Sequence, residues 1–167
     1  MNIKRILGIL AVLLVVSVAK SAEQAPVTEN LLDHLIGKWV LQGTIMGKET
    51  THDVEAEWVL NKGYVRLHEV SREKNDKGQP AYEAIVFISW DAKSGEYSCL
   101  WLDSTVGGGL TNDGIGHGKR SDDKIPFVFK PKSGDKFHNQ FIYARRADTW
   151  QWIMDGEEEG KPQPFAR

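Results

Sequence analysis

The chain has 167 residues, with 21 Lys and Arg against 23 Asp and Glu, a formal net charge of −2. A mildly acidic balance with no basic stripe between its aromatics argues against nucleic acid as a partner. One cysteine, Cys99, excludes an internal disulfide, so stability rests on packing, and six Trp, six Phe and four Tyr supply the bulk for it.

The first twenty-odd residues read as a signal rather than as part of a fold. Lys4 and Arg5 form a basic start, Ile6 to Val18 is an apolar run broken by Gly8 and Ser17, and small residues follow at Ser17, Ala19, Ser21 and Ala22. This is the layout of a secretory signal peptide. The run is shorter than the ~20 apolar residues a membrane-spanning helix needs. Cleavage is expected between Ala19 and Ala22, preferably after Ala19, since a cut after Ala22 leaves Lys20 close to the bond. The expectation is a division into a signal and cleavage region (1–22), a loose leader (23–28) and one domain (29–167) without internal repeat. The mature protein is then periplasmic or secreted, with no stable membrane insertion after cleavage. Cleavage at Ala19 leaves 148 residues, enough for one domain with a sizeable core.

Thr28 or Asn30 is placed to cap a short helix presenting Leu31, Leu32, Leu35 and Ile36 on one face and ending at Gly37. No sustained helical period follows. Strand signals recur instead at Trp39–Met46, Thr50–Leu60, Tyr64–Arg72, Ala81–Trp90, Glu96–Leu102, Gly108–Lys119, Lys124–Lys130, Lys136–Tyr143, Thr149–Met154 and Gln163–Arg167. The intervening segments carry turn chemistry, among them Asn61-Lys62-Gly63, Asp91 to Gly95 and Ser133-Gly134-Asp135. About ten strands joined by sequential hairpins predict an all-β, single antiparallel up-and-down barrel, since closure removes exposed edges.

Alternation assigns faces. In the second strand Val54, Ala56, Trp58 and Leu60 share one side, and Asp53, Glu55 and Glu57 the other. A two-residue Lys62-Gly63 turn pairs Leu60 with Val65, Trp58 with Leu67 and Ala56 with Glu69, and on the outside Asp53 with Arg72 and Glu57 with His68. A three-residue loop turns Arg66 and His68 inward instead. Cross-strand matching favours the first register, which points Glu69 into the interior. There it is either a carboxylate satisfied near the rim or a polar anchor for a ligand.

Gly114, Gly116 and Gly118 recur with period two, leaving one strand face bare. A phosphate-loop reading fails, because Asp113 and Arg120 stand where a glycine and a Ser or Thr are required. The bare face is expected to take a bulky ring such as Trp101 or Phe127. On the fifth strand Tyr97, Cys99, Trp101 and Asp103 alternate onto one side; Asp103 suits either a ligand contact at the barrel mouth or an Asx-type cap. The five histidines show no metal-binding spacing, and no Gly-x-Ser-x-Gly elbow or dinucleotide fingerprint is present. Neither a catalytic residue nor a metal ligand is assigned.

Leu35-Ile36-Gly37-Lys38-Trp39, Ser89-Trp90-Asp91 before a Ser-Gly hairpin, and Trp101-Leu102-Asp103-Ser104 leading into glycines occur in that order. Together they make the chain resemble an uncharacterised family of bacterial lipocalin-like (calycin) β-barrels. The resemblance implies a barrel with an internal cavity and a short N-terminal helix closing one end. It implies a plug built from Gly37, Trp39 and a basic residue of the last strand, here Arg167, lying across the indole. Haem, which the neighbouring nitrobindins bind through a C-terminal histidine, is disfavoured because Thr149 to Met154 holds no His, although His138 on the preceding strand keeps it open. The expected function is binding of a small, largely apolar molecule, with Trp58, Glu69, Trp101, Asp103 and Tyr143 as candidate contacts. The alternatives are a calycin-type enzyme, such as a haem-dependent or cofactor-free isomerase, and a packed barrel acting as a protein-interaction module through Glu157-Glu158-Glu159.

Overall fold

The computed structural model describes residues 30–105, 110, 112–132 and 134–167. The expected signal region and leader, and the first glycines of the expected sixth strand, lie outside the described residues. Ten antiparallel strands form a closed barrel in which each pairs with its sequence neighbours and the last meets the first. They are β1 (Gly37–Ile45), β2 (Lys48–Val59), β3 (Tyr64–Ser71), β4 (Glu83–Asp91), β5 (Glu96–Asp103), β6 (Ile115–Lys119), β7 (Lys124–Phe129), β8 (Phe137–Ala144), β9 (Thr149–Glu158) and β10 (Lys161–Ala166). The sixth strand therefore starts at Ile115 rather than at Gly108, after a 3-10 turn over Asn112–Gly114.

The expected N-terminal helix is a single 3-10 turn, Leu31–His34, capped by the Asn30 side chain, which accepts from the Leu32 amide. Its four residues are too few to propagate an α-helix. Burial holds it in place: Leu31, Leu32 and Leu35 are inaccessible to solvent or nearly so. Indole donors tie it to the barrel. The Trp39 Nε1–H donates to the Leu35 carbonyl at 2.8 Å, that of Trp150 to the His34 carbonyl at 3.0 Å, and that of Trp58 to Asp33 Oδ1 at 3.1 Å. The turn thus covers the end of the barrel where β1 and β9 begin.

The β2–β3 hairpin departs from the expected register. Trp58 pairs with Val65, Ala56 with Leu67, Val54 with Glu69 and His52 with Ser71. The connection is a four-residue loop in which Leu60, Asn61 and Lys62 all have positive φ (50°, 56° and 61°). The offset from the expected pairing is two residues. Side chains alternate with period two, so that offset leaves every face unchanged: Glu69 still points inward, and Arg66 and His68 outward, bonded to Glu57 and Glu83.

Inward residues fill the covered half. Val54, Ala56, Val65, Leu67, Val86, Ile88, Cys99, Ile125, Phe127 and Phe141 form a continuous core with the leucines of the 3-10 turn. The bare face of β6 takes a ring, as expected, but the ring is Phe129: a Cβ on Gly116 would lie 2.7 Å from it.

Arg167 is not part of the plug. Because β10 runs antiparallel to β1 and pairs Ala166 with Ile45, Arg167 lies beside Thr44, exchanging backbone hydrogen bonds of 2.6 and 2.9 Å. That is five residues along β1 from Trp39, toward the other end of the barrel. Its guanidinium bonds Asp155 and the Met154 carbonyl. Trp39 is held by the Leu35 carbonyl instead.

Candidate functional site

Ten strands make a barrel wider than the eight-stranded kind that side chains can fill. The barrel holds an open cavity of about 1110 Å³ that reaches down to Trp150 beside the 3-10 turn, with Leu41, Trp101, Phe129, Trp152 and Met154 among its other apolar walls. Its floor is the core of the covered half. Its rim carries the exposed Lys48, Thr105 and Leu110.

A polar cluster stands on one wall of this apolar space. His52, on β2 two residues before the inward-facing Val54, and Glu69, on β3, are 1% and 3% exposed. His52 Nδ1 bonds Glu69 Oε1. The other ring nitrogen, Nε2, bonds Thr50 Oγ1 at 2.7 Å, and that hydroxyl donates to Glu73 Oε2 at 3.0 Å. Hydrogen bonds from its own backbone amide, the Thr51 amide and the Thr50 hydroxyl hold the Glu73 carboxyl below its ordinary range, so Glu73 is the acceptor of that last bond. Thr50, having given its only proton to Glu73, must accept from His52, which makes Nε2 a donor. One proton then remains between Nδ1 and Glu69 Oε1.

Tyr82, immediately before β4, stacks on the His52 ring with centroids 5.6 Å apart. Its hydroxyl oxygen accepts from the Trp101 indole at 2.9 Å. Burial first, and the neighbouring Glu69 second, push the phenol pKa upward, so the group stays protonated. Asn139, 1% exposed, faces the same cavity from β8, five strands around the barrel from β3. Glu69 Oε2 and Asn139 Oδ1 are buried and have no hydrogen-bond partner among the described residues. Since an unsatisfied buried polar atom costs about 1–3 kcal/mol, two such atoms on one cavity ask for an explanation.

Of the candidate contacts read from the sequence, Glu69, Trp101 and Asp103 line the cavity, whereas Trp58 and Tyr143 do not. Trp58 is engaged with Asp33 at the covered end. Tyr143 stacks on His34 there, 4.5 Å between centroids, and bonds Asp148 at 2.7 Å. Asp103 also acts as an Asx-type cap, accepting from the Thr105 amide at 2.7 Å. His52, Tyr82 and Asn139 were absent from the sequence reading. The signal for His52 was available, since it shares parity with Val54, but its value comes from contact with a residue on another strand. His138 points to the outer face and bonds Glu157 at 2.8 Å, so it does not reach the cavity. Cys99 lies in the core, where burial pushes its thiol pKa up. Among the described residues no cluster of His, Cys, Asp and Glu has the geometry of a metal site, and no helix is long and apolar enough to cross a membrane.

Against known proteins, the chain matches no family model and no curated sequence.

Proposed function

We propose that this protein is an exported, calycin-like carrier or receptor that binds a small, largely apolar molecule inside the barrel, entering opposite the Leu31–His34 turn. The observation that supports this most directly is the cavity of about 1110 Å³, slightly larger than ordinary ligand pockets of ~300–1,000 Å³. Aromatic and aliphatic walls with a few convergent polar groups are the usual composition of such a site. The likeness to lipocalin-like barrels and the signal-like N-terminus favour the same reading.

The mature protein, purified without denaturation, should release a bound small molecule in native mass spectrometry, or show thermal stabilisation by members of an apolar library. Absence of both would count decisively against binding. Export is tested by cell fractionation with N-terminal sequencing, which should find a start between Lys20 and Glu23.

Catalysis is the second reading, drawing on the buried His52–Glu69 pair. Both His52 nitrogens are engaged, which leaves Glu69 Oε2 as the open basic atom of the pair. The pair is better suited to holding a ligand than to shuttling a proton. A packed interaction module is disfavoured by the cavity, and Glu157 is occupied by His138 and Lys136.

A further inference from the structure

Three polar atoms of residues that line the cavity retain unused hydrogen-bonding capacity, and their combination is selective. Glu69 Oε2 has no partner and is a pure acceptor, because the one proton of the pair lies between Oε1 and His52 Nδ1. The Tyr82 oxygen already accepts from Trp101, and among the described residues its own O–H proton has no acceptor. These two residues are close in the sheet: Glu69 pairs with Ala84, and Tyr82 precedes Ala84 by two, on the same inward face. Asn139 Oδ1 is a second unpartnered acceptor on the far wall.

We propose that the cavity selects a neutral alcohol or phenol, whose hydroxyl donates to Glu69 Oε2 and accepts from Tyr82, with Asn139 Oδ1 free to take a second hydroxyl across the barrel. The inference rests on the reading of the barrel as a small-molecule binder and specifies its ligand. The chemistry is one of matching. A hydroxyl is both donor and acceptor, as the Glu69–Tyr82 pair requires. A carboxylate accepts from Tyr82 but has no proton for Glu69 Oε2. It also meets Glu49, Glu73, Asp103 and Asp113 around the cavity, against Lys48 and Arg167. An ammonium donates to Glu69 but has no lone pair to accept from Tyr82, whose O–H it leaves without an acceptor. A plain hydrocarbon fills the space and leaves the buried atoms unsatisfied. Sites built to bond a hydroxyl discriminate against analogues that lack it because their own polar groups are then stranded.

The test uses four probes with one apolar body: 2-naphthol, 2-methylnaphthalene, 2-naphthoate and 2-naphthylmethylammonium, titrated calorimetrically into the full mature protein at pH 7. 2-Naphthol should bind about tenfold or more tightly than each of the others, the size of one net hydrogen bond or more. In Tyr82→Phe, and in the double variant His52→Leu/Glu69→Leu that removes the pair as a unit, the preference for 2-naphthol over 2-methylnaphthalene should shrink by about threefold or more, since each removes one of the hydroxyl's two partners, while 2-methylnaphthalene affinity is kept. Circular dichroism melts establish that the variants fold; should either fail, the wild-type ranking alone decides. Equal binding of 2-naphthol and 2-methylnaphthalene, or tightest binding of the carboxylate or the ammonium, overturns the hydroxyl assignment and leaves the binding function standing. No binding by any of the four overturns both.

Discussion

Removing His52 tests whether the buried polar cluster is a coupled unit. In His52→Leu the Glu69 carboxyl, 3% exposed, loses the partner of Oε1 while Oε2 is already unpartnered, and Thr50 loses its donor. Breaking a buried pair on one side costs about 3–5 kcal/mol. In Glu69→Leu the imidazole keeps Thr50 and strands only Nδ1, so the cost is smaller, about 1–3 kcal/mol. Replacing both residues removes the desolvated groups together and adds apolar surface to a mainly apolar cavity. The double variant should lie within about 2 kcal/mol of wild type, because apolar replacement of a buried pair is often neutral. The cycle therefore predicts a coupling energy of at least about 2 kcal/mol, far above the ~0.5 kcal/mol within which independent sites add. Urea denaturation at pH 7, followed by tryptophan fluorescence with the slope checked for constancy, measures each corner. Additive losses would refute the account, as would a double variant less stable than His52→Leu.

Three further outcomes follow from the packing. Gly116→Ala places a Cβ 2.7–2.9 Å from three carbons of the Phe129 ring, and overpacking of this kind should cost about 1–3 kcal/mol in denaturant, largely relieved by adding Phe129→Ala. Trp39→Ala should cost about 3 kcal/mol, the low end for tryptophan truncation because the indole is only half-buried, and should leave ligand affinity unchanged; a stable variant that loses binding would show that the ligand sits at the covered end. Cys99 is fully buried with its pKa raised, so a thiol reagent should leave the native protein unmodified and label it stoichiometrically in denaturant.

Alternating apolar and polar residues, punctuated by turn-forming Asn, Asp and Gly, were sufficient to read an all-β up-and-down barrel of about ten strands. They also put Tyr97, Cys99 and Trp101 on one face of their strand, and cross-strand matching favoured Glu69 on the inner face, where the structure has it. These are local properties: side-chain parity follows from the pleat, and it survives even the two-residue error in the β2–β3 register. The helix over Leu31–Ile36 was misread because an apolar cluster at helical spacing does not distinguish a full helix from a buried 3-10 turn. Position along the barrel axis was not legible either. Trp58 and Glu69 share the inner face, yet one meets Asp33 at the covered end and the other lines the cavity. Arg167 looked like a partner for Trp39 until the pairing of Ala166 with Ile45 set it at the opposite end of β1.

Sequence by itself thus determined which residues of a strand share a face, since that depends on each strand alone. Only the tertiary structure decided which inward residues meet. The contact of His52 with Glu69, the stacking of Tyr82 on His52 and the placement of Asn139 across the cavity depend on strand register and barrel closure. Register and closure are set by the packing of all ten strands together, so no single stretch of the chain encodes them.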